Sequence, residues 1–282
     1  MFQPDLLKGK RILITGGGTG LGRAMAERFL QLGGNVSICG RHADVLRKTC
    51  DELASATGGQ VRNFVCDVRD REAVEQMIAN IWMSGPLHVL VNNAAGNFIA
   101  RTEELSPRAW EAVLGIVLHG TLNLTIACGR RWLEARQHAT VLNVSTTYAA
   151  IGSGSAYVVP SAVAKAGVLA LTRSLAVEWG SRGIRLNAIA PGPVRTEGAF
   201  SRLLPRQDLE QYALGRIPSG RFGTLEEFAN LAAFLVSDGC TQINGEVIVM
   251  DGGEWLQGAG EFGYVGTLLG ESDWQALRPK KA

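Results

Sequence analysis

The chain has 282 residues, a formal net charge of +2, 46% hydrophobic residues and 19% charged residues. This length allows one large core and suits a single domain of the α/β class. The nearly neutral charge argues against a nucleic-acid-binding surface, because such a surface needs a concentrated basic face.

Seven short apolar segments alternate with amphipathic helical stretches along the chain. Their continuous Val, Ile and Leu runs indicate strands that are buried on both faces of a parallel sheet. We therefore predict an α/β doubly wound Rossmann fold over residues 1–282, with a seven-stranded parallel sheet and helices on both faces. The part from about 254 to 282 has weak periodicity and is predicted to be a C-terminal extension. The predicted strands are Arg11–Thr15, Asn35–Cys39, Val61–Cys66, Leu87–Val91, Thr140–Ser145, Ile184–Ala190 and Glu246–Asp251.

A glycine-rich turn lies between the first predicted strand and the first helical pattern. Glycines let the backbone approach a pyrophosphate, and a helix N-terminus supplies free N–H groups and positive potential. A tight turn without a ligand is the alternative, but the strand–turn–helix context favours a nucleotide site. The predicted cofactor-binding residues of the turn are Gly16, Gly17, Gly18, Thr19, Gly20, Leu21 and Gly22.

The end of the second predicted strand indicates which nicotinamide cofactor is used. A carboxylate at this position would hold the ribose 2′-hydroxyl and repel a 2′-phosphate. The chain has Gly40 there, followed by Arg41, whose guanidinium can pair with a phosphate. A solvated loop charge is the alternative for Arg41 alone, and the absence of an acid favours NADP(H).

Three motifs together resemble the short-chain dehydrogenase/reductase family over about residues 8–253. They are Thr15 to Gly22 with the pattern T-G-x-x-x-G-x-G, Asn92 to Gly96, and Pro191 to Val194. The resemblance implies that Asp67 contacts the adenine of the cofactor and that Lys165 binds its nicotinamide ribose. It also implies a homotetramer. The other cofactor-binding residues that it implies are Asn93, Pro191, Gly192, Pro193 and Val194.

Two residue types are exchanged relative to that family. The family has Tyr four residues before its lysine and Ser further upstream, whereas this chain has Ser161 and Tyr148 at those positions. Ser161 cannot serve as the proton donor to a ketone, because a hydroxyl of far higher pKa is a poor donor at neutral pH. Val117 replaces the catalytic Asn of the family. These changes argue against simple ketone reduction.

The exchanged pair and the Asn97-Phe98 ending of the loop after the fourth strand resemble the NADPH-dependent 2,4-dienoyl-CoA reductases of the same family. The resemblance implies hydride transfer to carbon 5 of a 2,4-dienoyl-CoA in unsaturated fatty-acid β-oxidation, with a 3-enoyl-CoA product. Tyr148, Asn97 and Lys165 are the implied catalytic residues, the first two forming an oxyanion hole for the dienolate. The implied partner is an acyl-CoA thioester under a lid segment at about 195–215. The implied substrate-binding residues are Arg69, Asn97, Phe98, Ser106, Ser161 and Arg202.

Two other functions and one local question stay open at this point. The same site would serve a reductase of 2-enoyl thioesters or other activated alkenes. Loss of the usual Tyr and Asn would also fit a catalytically inactive NADP-binding protein. Ser155 and Ala156 look like an insertion between Tyr148 and Ser161, so Tyr157 competes with Tyr148 for the catalytic position.

Further sequence features bear on the compartment. The five cysteines form no C-x-x-C pair or Cys/His cluster, so neither a disulfide framework nor a metal site is expected. The N-terminus shows no secretory signal, and no apolar run approaches the roughly 20 residues that span a bilayer. We therefore expect a cytoplasmic protein that binds neither a membrane nor nucleic acid.

Overall fold

Seven parallel strands form one sheet at the centre of the protein. The computed structural model describes residues 2–149, 154–196 and 206–259, with Gly270 and Ser272. Arg202, part of the predicted lid segment and most of the predicted C-terminal extension lie outside these residues. The strands are β1 (Arg11–Thr15), β2 (Asn35–Gly40), β3 (Val61–Val65), β4 (Val89–Asn92), β5 (Ala139–Val144), β6 (Ile184–Pro191) and β7 (Val247–Met250).

The sheet order is β3-β2-β1-β4-β5-β6-β7, and every neighbouring pair of strands is parallel. This order confirms the predicted doubly wound Rossmann fold. The helices are α1 (Gly20–Gln31), α2 (Ala43–Thr57), α3 (Arg71–Met83), α4 (Pro107–Leu114), α5 (Gly120–Glu134), α6 (Val159–Gly180), α7 (Gln207–Gly215), α8 (Leu225–Val236) and α9 (Glu254–Ala259).

Side chains of β1 alternate between two hydrophobic cores, one on each face of the sheet. Ile12 and Ile14 are fully buried in the same core as Phe29 of α1, whereas Leu13 is buried in the other core with Trp132 of α5. Successive side chains of a strand point to opposite faces, and helices cover both faces here. That coverage explains why the strands read as continuous apolar runs.

The chain order of the strands reverses between β1 and β4, which lie side by side with Ile14 opposite Val91. At such a reversal the connections leave toward opposite faces, and a crevice opens outside the carboxyl ends of the strands. The glycine turn follows β1 and Asn93 follows β4, so the fold brings both sequence motifs to this crevice.

The strand β4 begins two residues later than predicted, at Val89 rather than Leu87. The carbonyl of Leu87 accepts hydrogen bonds from the indole N–H of Trp132 at 2.7 Å and from the amide of Gln137 at 2.6 Å. Because the Trp132 indole and the Gln137 amide occupy this carbonyl, it does not take part in the ladder between strands. Side-chain competition for one backbone group therefore moved the boundary.

One continuous helical segment, Pro107–Glu134, consists of α4, a π-helical turn at Gly115–His119 and α5. By length and composition it could cross a membrane, contrary to the expectation that no such segment exists, and 56% of its most apolar window is buried in the protein. Burial of this kind is what a core helix shows.

Candidate active site

The glycine turn between β1 and α1 is packed backbone against backbone. A Cβ atom at Gly22 would lie 2.2 Å from the carbonyl oxygen of Gly16, and one at Gly17 would lie 2.5 Å from Cγ2 of Ile38. Gly16 also has φ of +64°, which favours glycine. The Thr19 side chain makes no capping hydrogen bond to α1. The turn therefore presents the N-terminus of α1 in the arrangement that binds a pyrophosphate.

Asn93 and Thr15 hold this turn in place. The Asn93 amide nitrogen donates to the carbonyls of Thr15 at 2.9 Å and Gly16 at 3.2 Å. The Thr15 hydroxyl oxygen accepts from the backbone N–H groups of Asn93 and Ala94, both at 2.9 Å. Both amide hydrogens of Asn93 are thus used within the protein, and its donors position the turn. Thr15 lies inside the recognised motif, but no role was predicted for its side chain.

Two further predicted residues meet at the carboxyl ends of β2 and β3. Arg41 is exposed after β2, and the pKa of the Asp67 carboxyl is lowered mainly by Arg69 and to a smaller extent by the charge of Arg41. The larger cause is Arg69, whose Nε donates to Asp67 Oδ1 at 3.0 Å and whose Nη2 lies 2.5 Å from Oδ2. The residue predicted for acyl-CoA, Arg69, is therefore paired with the residue predicted for adenine.

Tyr148 lies at the centre of a three-residue hydrogen-bond network. The Asn97 amide nitrogen donates to the Tyr148 hydroxyl at 3.1 Å, and the Ser161 hydroxyl lies 3.0 Å from the same oxygen. Asn97 is oriented in turn, because its Oδ1 accepts from the Phe98 backbone N–H at 2.9 Å. The loop after β4, the turn after β5 and the start of α6 thus bring together residues that are far apart in the sequence.

Tyr157, the competing tyrosine, lies outside this network. Its side chain is 58% exposed, its φ is +66°, and its carbonyl accepts from the Ala100 N–H at 2.9 Å. Tyr148 rather than Tyr157 therefore stands beside Ser161. The catalytic role of Tyr148 stays a prediction, and this proximity supports it.

Lys165 lies one helical turn after Ser161 on the same side of α6 and is buried. Its Nζ donates to the carbonyl of Val144 at the end of β5. Burial lowers the pKa of the Lys165 ammonium to about 8, because the charged form loses its hydration. The lysine is therefore mostly protonated at neutral pH, with a pKa only slightly above that pH.

The nicotinamide end of the predicted site follows β6. The Gly192 N–H donates to the carbonyl of Met250 at 3.0 Å, and the carbonyl of Pro193 accepts from the N–H of Gly223 at 3.1 Å. Val194 forms an isolated parallel bridge with Gly223. Nearby in the sheet, Ser145 follows β5, and its buried hydroxyl has no hydrogen-bond partner among the described residues.

The edge from the glycine turn to Val194 has the parts that a nicotinamide dinucleotide requires. The glycine turn and the N-terminus of α1 can bind the pyrophosphate, and the buried Lys165 and the unpartnered Ser145 hydroxyl offer polar groups further along this edge. The predicted cofactor residues all lie along the carboxyl ends of β1, β2, β3, β4 and β6, at the start of α1 or on α6. The residues present thus fit a bound nicotinamide dinucleotide.

Ser106, predicted to bind the substrate, and Val117, which replaces the catalytic Asn of the family, both have structural roles. Ser106 caps α4, since its hydroxyl oxygen accepts from the Ala109 N–H at 3.2 Å. Val117 lies in the π-helical turn and is buried against Ala164 and Val168 of α6, with Phe98 packed on the same cluster. The position of the family's catalytic Asn is therefore part of an apolar wall here.

Known proteins resemble this chain over most of its length. Residues 16–254 match the protein family described as Enoyl-(Acyl carrier protein) reductase. A Bacillus subtilis protein named "Probable 2,4-dienoyl-CoA reductase", (2E)-enoyl-CoA-producing, is 47% identical over 88% of this chain and 97% of its own length. A Caenorhabditis elegans protein named "Probable 2,4-dienoyl-CoA reductase 3", (3E)-enoyl-CoA-producing, is 44% identical over 90% of this chain and 83% of its own length.

Solved structures show the same architecture. A short chain dehydrogenase from Bacillus anthracis is 41% identical with a TM-score of 0.79, and the match covers 87% of this chain and 96% of that one. A structure from Beutenbergia cavernae described with bound NADP is 33% identical with a TM-score of 0.84, covering 90% and 99%. The sheet order, the glycine turn and these likenesses assign a nicotinamide-dependent oxidoreductase, and the chain belongs to the short-chain dehydrogenase/reductase family.

Proposed function

We propose that the protein is an NADPH-dependent reductase of 2,4-dienoyl-CoA thioesters that acts in unsaturated fatty-acid β-oxidation. The observation that carries the proposal is the contact of Asn97 and Ser161 with the Tyr148 hydroxyl, which builds a polar centre where a ketone reductase has its tyrosine acid. The relatives named 2,4-dienoyl-CoA reductases support the same substrate class.

The chemistry that a bound reduced nicotinamide supplies is hydride transfer, here to carbon 5 of the conjugated thioester. Negative charge then appears on the thioester oxygen, remote from carbon 5, and requires fixed hydrogen-bond donors. Asn97 has two amide hydrogens, one directed to Tyr148 and one left for this oxygen. When the Tyr148 O–H turns toward the thioester, Ser161 can donate to the tyrosine oxygen in its place.

Lys165 supports this centre electrostatically. Its charge lies one helical turn from Ser161 and is held in a buried site, where electrostatic interactions are stronger than in water. Protonation of the dienolate at carbon 2 by water then gives a 3-enoyl-CoA. Neither step needs an acid next to a ketone. This explains why the chain can have Ser161 where the family has its tyrosine.

NADP(H) is the proposed cofactor because Arg41 follows β2 where an acid would select NAD. The Beutenbergia cavernae structure described with bound NADP supports this choice. A cytoplasmic location and a homotetramer stay predictions.

The direct test is NADPH oxidation with 2,4-hexadienoyl-CoA, with Tyr148→Phe as the test variant and Tyr157→Phe as the matched control. Loss of one oxyanion donor should lower kcat of the Tyr148 variant about 100- to 1000-fold. Asn97→Ala should lower kcat similarly, whereas the control should match the wild type. NADPH affinity should change little in all three variants, since these side chains act on charge in the transition state.

Two results would contradict the proposal. One is wild-type turnover of a 3-oxoacyl-CoA without turnover of the dienoyl thioester. The other is an unchanged kcat in both Tyr148→Phe and Asn97→Ala.

A second candidate is reduction of a 2-enoyl thioester, which the description of the matching family favours. The same two donors would stabilise the enolate formed by hydride addition to carbon 3 of that substrate. Turnover of crotonyl-CoA in place of the dienoyl thioester would select this function. If the dienoyl thioester is reduced instead, NMR of its product separates a 3-enoyl from a 2-enoyl thioester, between which the names of the relatives differ.

A further inference from the structure

The loop between β4 and α4 carries Asn97 to the candidate active site. Residues 93–101 form neither helix nor strand, so no ladder or helical hydrogen bonds fix this part of the backbone. The loop is tied at one end to the Thr15 hydroxyl, and at the other end the Ala100 N–H donates to the Tyr157 carbonyl at 2.9 Å. Asn97 lies between these two anchors.

The stretch between the anchors makes little use of its backbone donors. In the described part of the chain, one backbone N–H group between Ala94 and Ala100 forms a hydrogen bond, that of Phe98 to Asn97 Oδ1 at 2.9 Å. This bond fixes the Asn97 amide relative to its own loop but not relative to Tyr148. A donor must lie within about 3 Å of its acceptor, so another contact has to hold the loop against the rest of the protein.

Packing of Phe98 provides that contact. The half-buried side chain lies against a buried cluster that we call the apolar wall, whose members are between 0% and 2% exposed. The backbone follows the same surface, because a Cβ atom at Gly96 would lie 3.7 Å from Cδ1 of Ile116 in the π turn. The apolar wall consists of Val113, Val117, Ala164 and Val168.

The apolar wall is built jointly by α4, the π turn and α6. A Cβ atom at Gly167 of α6 would lie 2.9 Å from Cδ1 of Leu118, so the π turn packs closely on this helix. The same helix carries Ser161. Phe98 therefore links the loop of Asn97 to the element that supplies another member of the Tyr148 network.

Val117 suits this arrangement, whereas the Asn that the family has at this position would not. An amide side chain at position 117 would place a polar group among the apolar side chains of the wall, where burial without a hydrogen bond is costly. It would also disturb the surface on which Phe98 rests. The presence of Val117 and the packing of Phe98 thus fit together.

We propose that Phe98 is a positioning residue, whose packing on the apolar wall holds the Asn97 amide within hydrogen-bond distance of the Tyr148 hydroxyl. The inference deepens the proposed function and rests on it, because it takes Asn97 to be a donor to the thioester oxygen. It assigns Val117 a part in the same arrangement, since an apolar side chain at this position completes the surface that seats Phe98.

A double-mutant cycle on kcat for 2,4-hexadienoyl-CoA tests whether Phe98 acts through Asn97. Phe98→Ala should lower kcat about 10- to 100-fold, since displacement of a catalytic group by about 1 Å has an effect of this size. In the Asn97→Ala background the same substitution should change kcat by less than about twofold, because the amide that Phe98 positions is absent. Phe98→Leu keeps an apolar anchor and should retain kcat within about threefold of the wild type.

Ile99→Ala is the matched control, because Ile99 belongs to the same loop but its side chain is 48% exposed. It should keep the wild-type kcat. Val117→Ala removes apolar atoms from the wall itself and should lower kcat in the same direction as Phe98→Ala, again only while Asn97 is present. Kd for NADPH should match the wild type in every variant, which shows that each protein is folded.

A measurement without turnover separates this inference from the proposed function. The chain has four tyrosines, so an NMR-active carbon isotope at the ring carbon that bears the hydroxyl gives a simple spectrum. The Tyr148 signal, assigned by its loss in Tyr148→Phe, should move in Phe98→Ala to the position that it has in Asn97→Ala. Ile99→Ala should leave this signal unchanged.

Two kinetic results would overturn the inference. One is an unchanged kcat in Phe98→Ala, and the other is a loss that is equally large with and without Asn97, which would assign the ring to direct substrate contact or to general stability. If the wild type does not reduce the dienoyl thioester, the proposed function fails and the NMR experiment decides alone. A Tyr148 signal that Phe98→Ala leaves at its wild-type position refutes the positioning role, and a shift matching that of Asn97→Ala supports it.

Discussion

Replacing Lys165 by methionine should stabilise the protein at neutral pH while it disables the reaction centre. The lysine is 7% exposed, and burial lowers its pKa to about 8, compared with an ordinary value of about 10.4. A methionine keeps an unbranched apolar side chain of similar length and removes the buried charge. The stability difference between the variant and the wild type should therefore depend on pH.

The sign and size of that dependence follow from linkage between protonation and folding. Below pH 8 the lysine is protonated in both the folded and the unfolded chain, and the penalty for burying the charge is complete, at about 3 kcal/mol. Between pH 8 and about 10.4 the folded lysine has lost its proton while the unfolded one keeps it, so wild-type stability rises with pH. The advantage of the variant should shrink by about 2 kcal/mol between pH 7 and about 9.5.

Urea unfolding at pH 7 and about 9.5, at one fixed protein concentration, measures this difference. The hydrogen bond from Lys165 to the Val144 carbonyl is lost at both pH values, so it contributes an offset that cancels. Lys8→Met is the control, because the Lys8 side chain is 75% exposed, and its difference from the wild type should stay constant. A Lys165→Met difference that is equally constant would refute the argument from charge burial.

Two other substitutions test the cofactor site. Gly22→Ala places a methyl group 2.2 Å from the Gly16 carbonyl oxygen, so NADPH affinity and Tm should both fall. Gly215→Ala is the control, because its added Cβ would meet no neighbouring atom within 4 Å in the described part of the chain, and it should leave both unchanged. Wild-type NADPH affinity in Gly22→Ala would contradict a role of the tightly packed glycine turn in binding the coenzyme phosphates. Arg41→Asp should weaken NADPH much more than NADH in fluorescence titrations, because a carboxylate repels the 2′-phosphate. Equal losses for both coenzymes would contradict the role of Arg41.

Much of the fold could be predicted because the pattern of apolar residues depends on burial alone. Ile12, Leu13 and Ile14 are all apolar, since each face of β1 meets a layer of helices, and this produces a continuous run. The start of β4 could not be predicted, because it depends on an indole from α5 that reaches the Leu87 carbonyl across 45 residues.

Some features of the candidate site could likewise be predicted from the sequence, whereas others required the structure. The glycine turn was recognisable because its residues are adjacent in the chain and its conformation excludes side chains. The motif predicted that Asn93 binds the cofactor, and only the structure shows that both of its amide donors hold the turn.

Residue types and their local spacing were therefore sufficient for the parallel sheet, the phosphate turn and the exchange of Tyr and Ser before Lys165. Which tyrosine lies beside Ser161 was decided by folding, because the structure places Tyr148 there although Tyr157 is much nearer to Ser161 in the sequence. The start of α6 and the loop after β4 bring Ser161 and Asn97 to one of these hydroxyls and leave the other side chain exposed. Hydrogen bonds act over about 3 Å, and only the tertiary structure brings groups from distant parts of the chain within that distance.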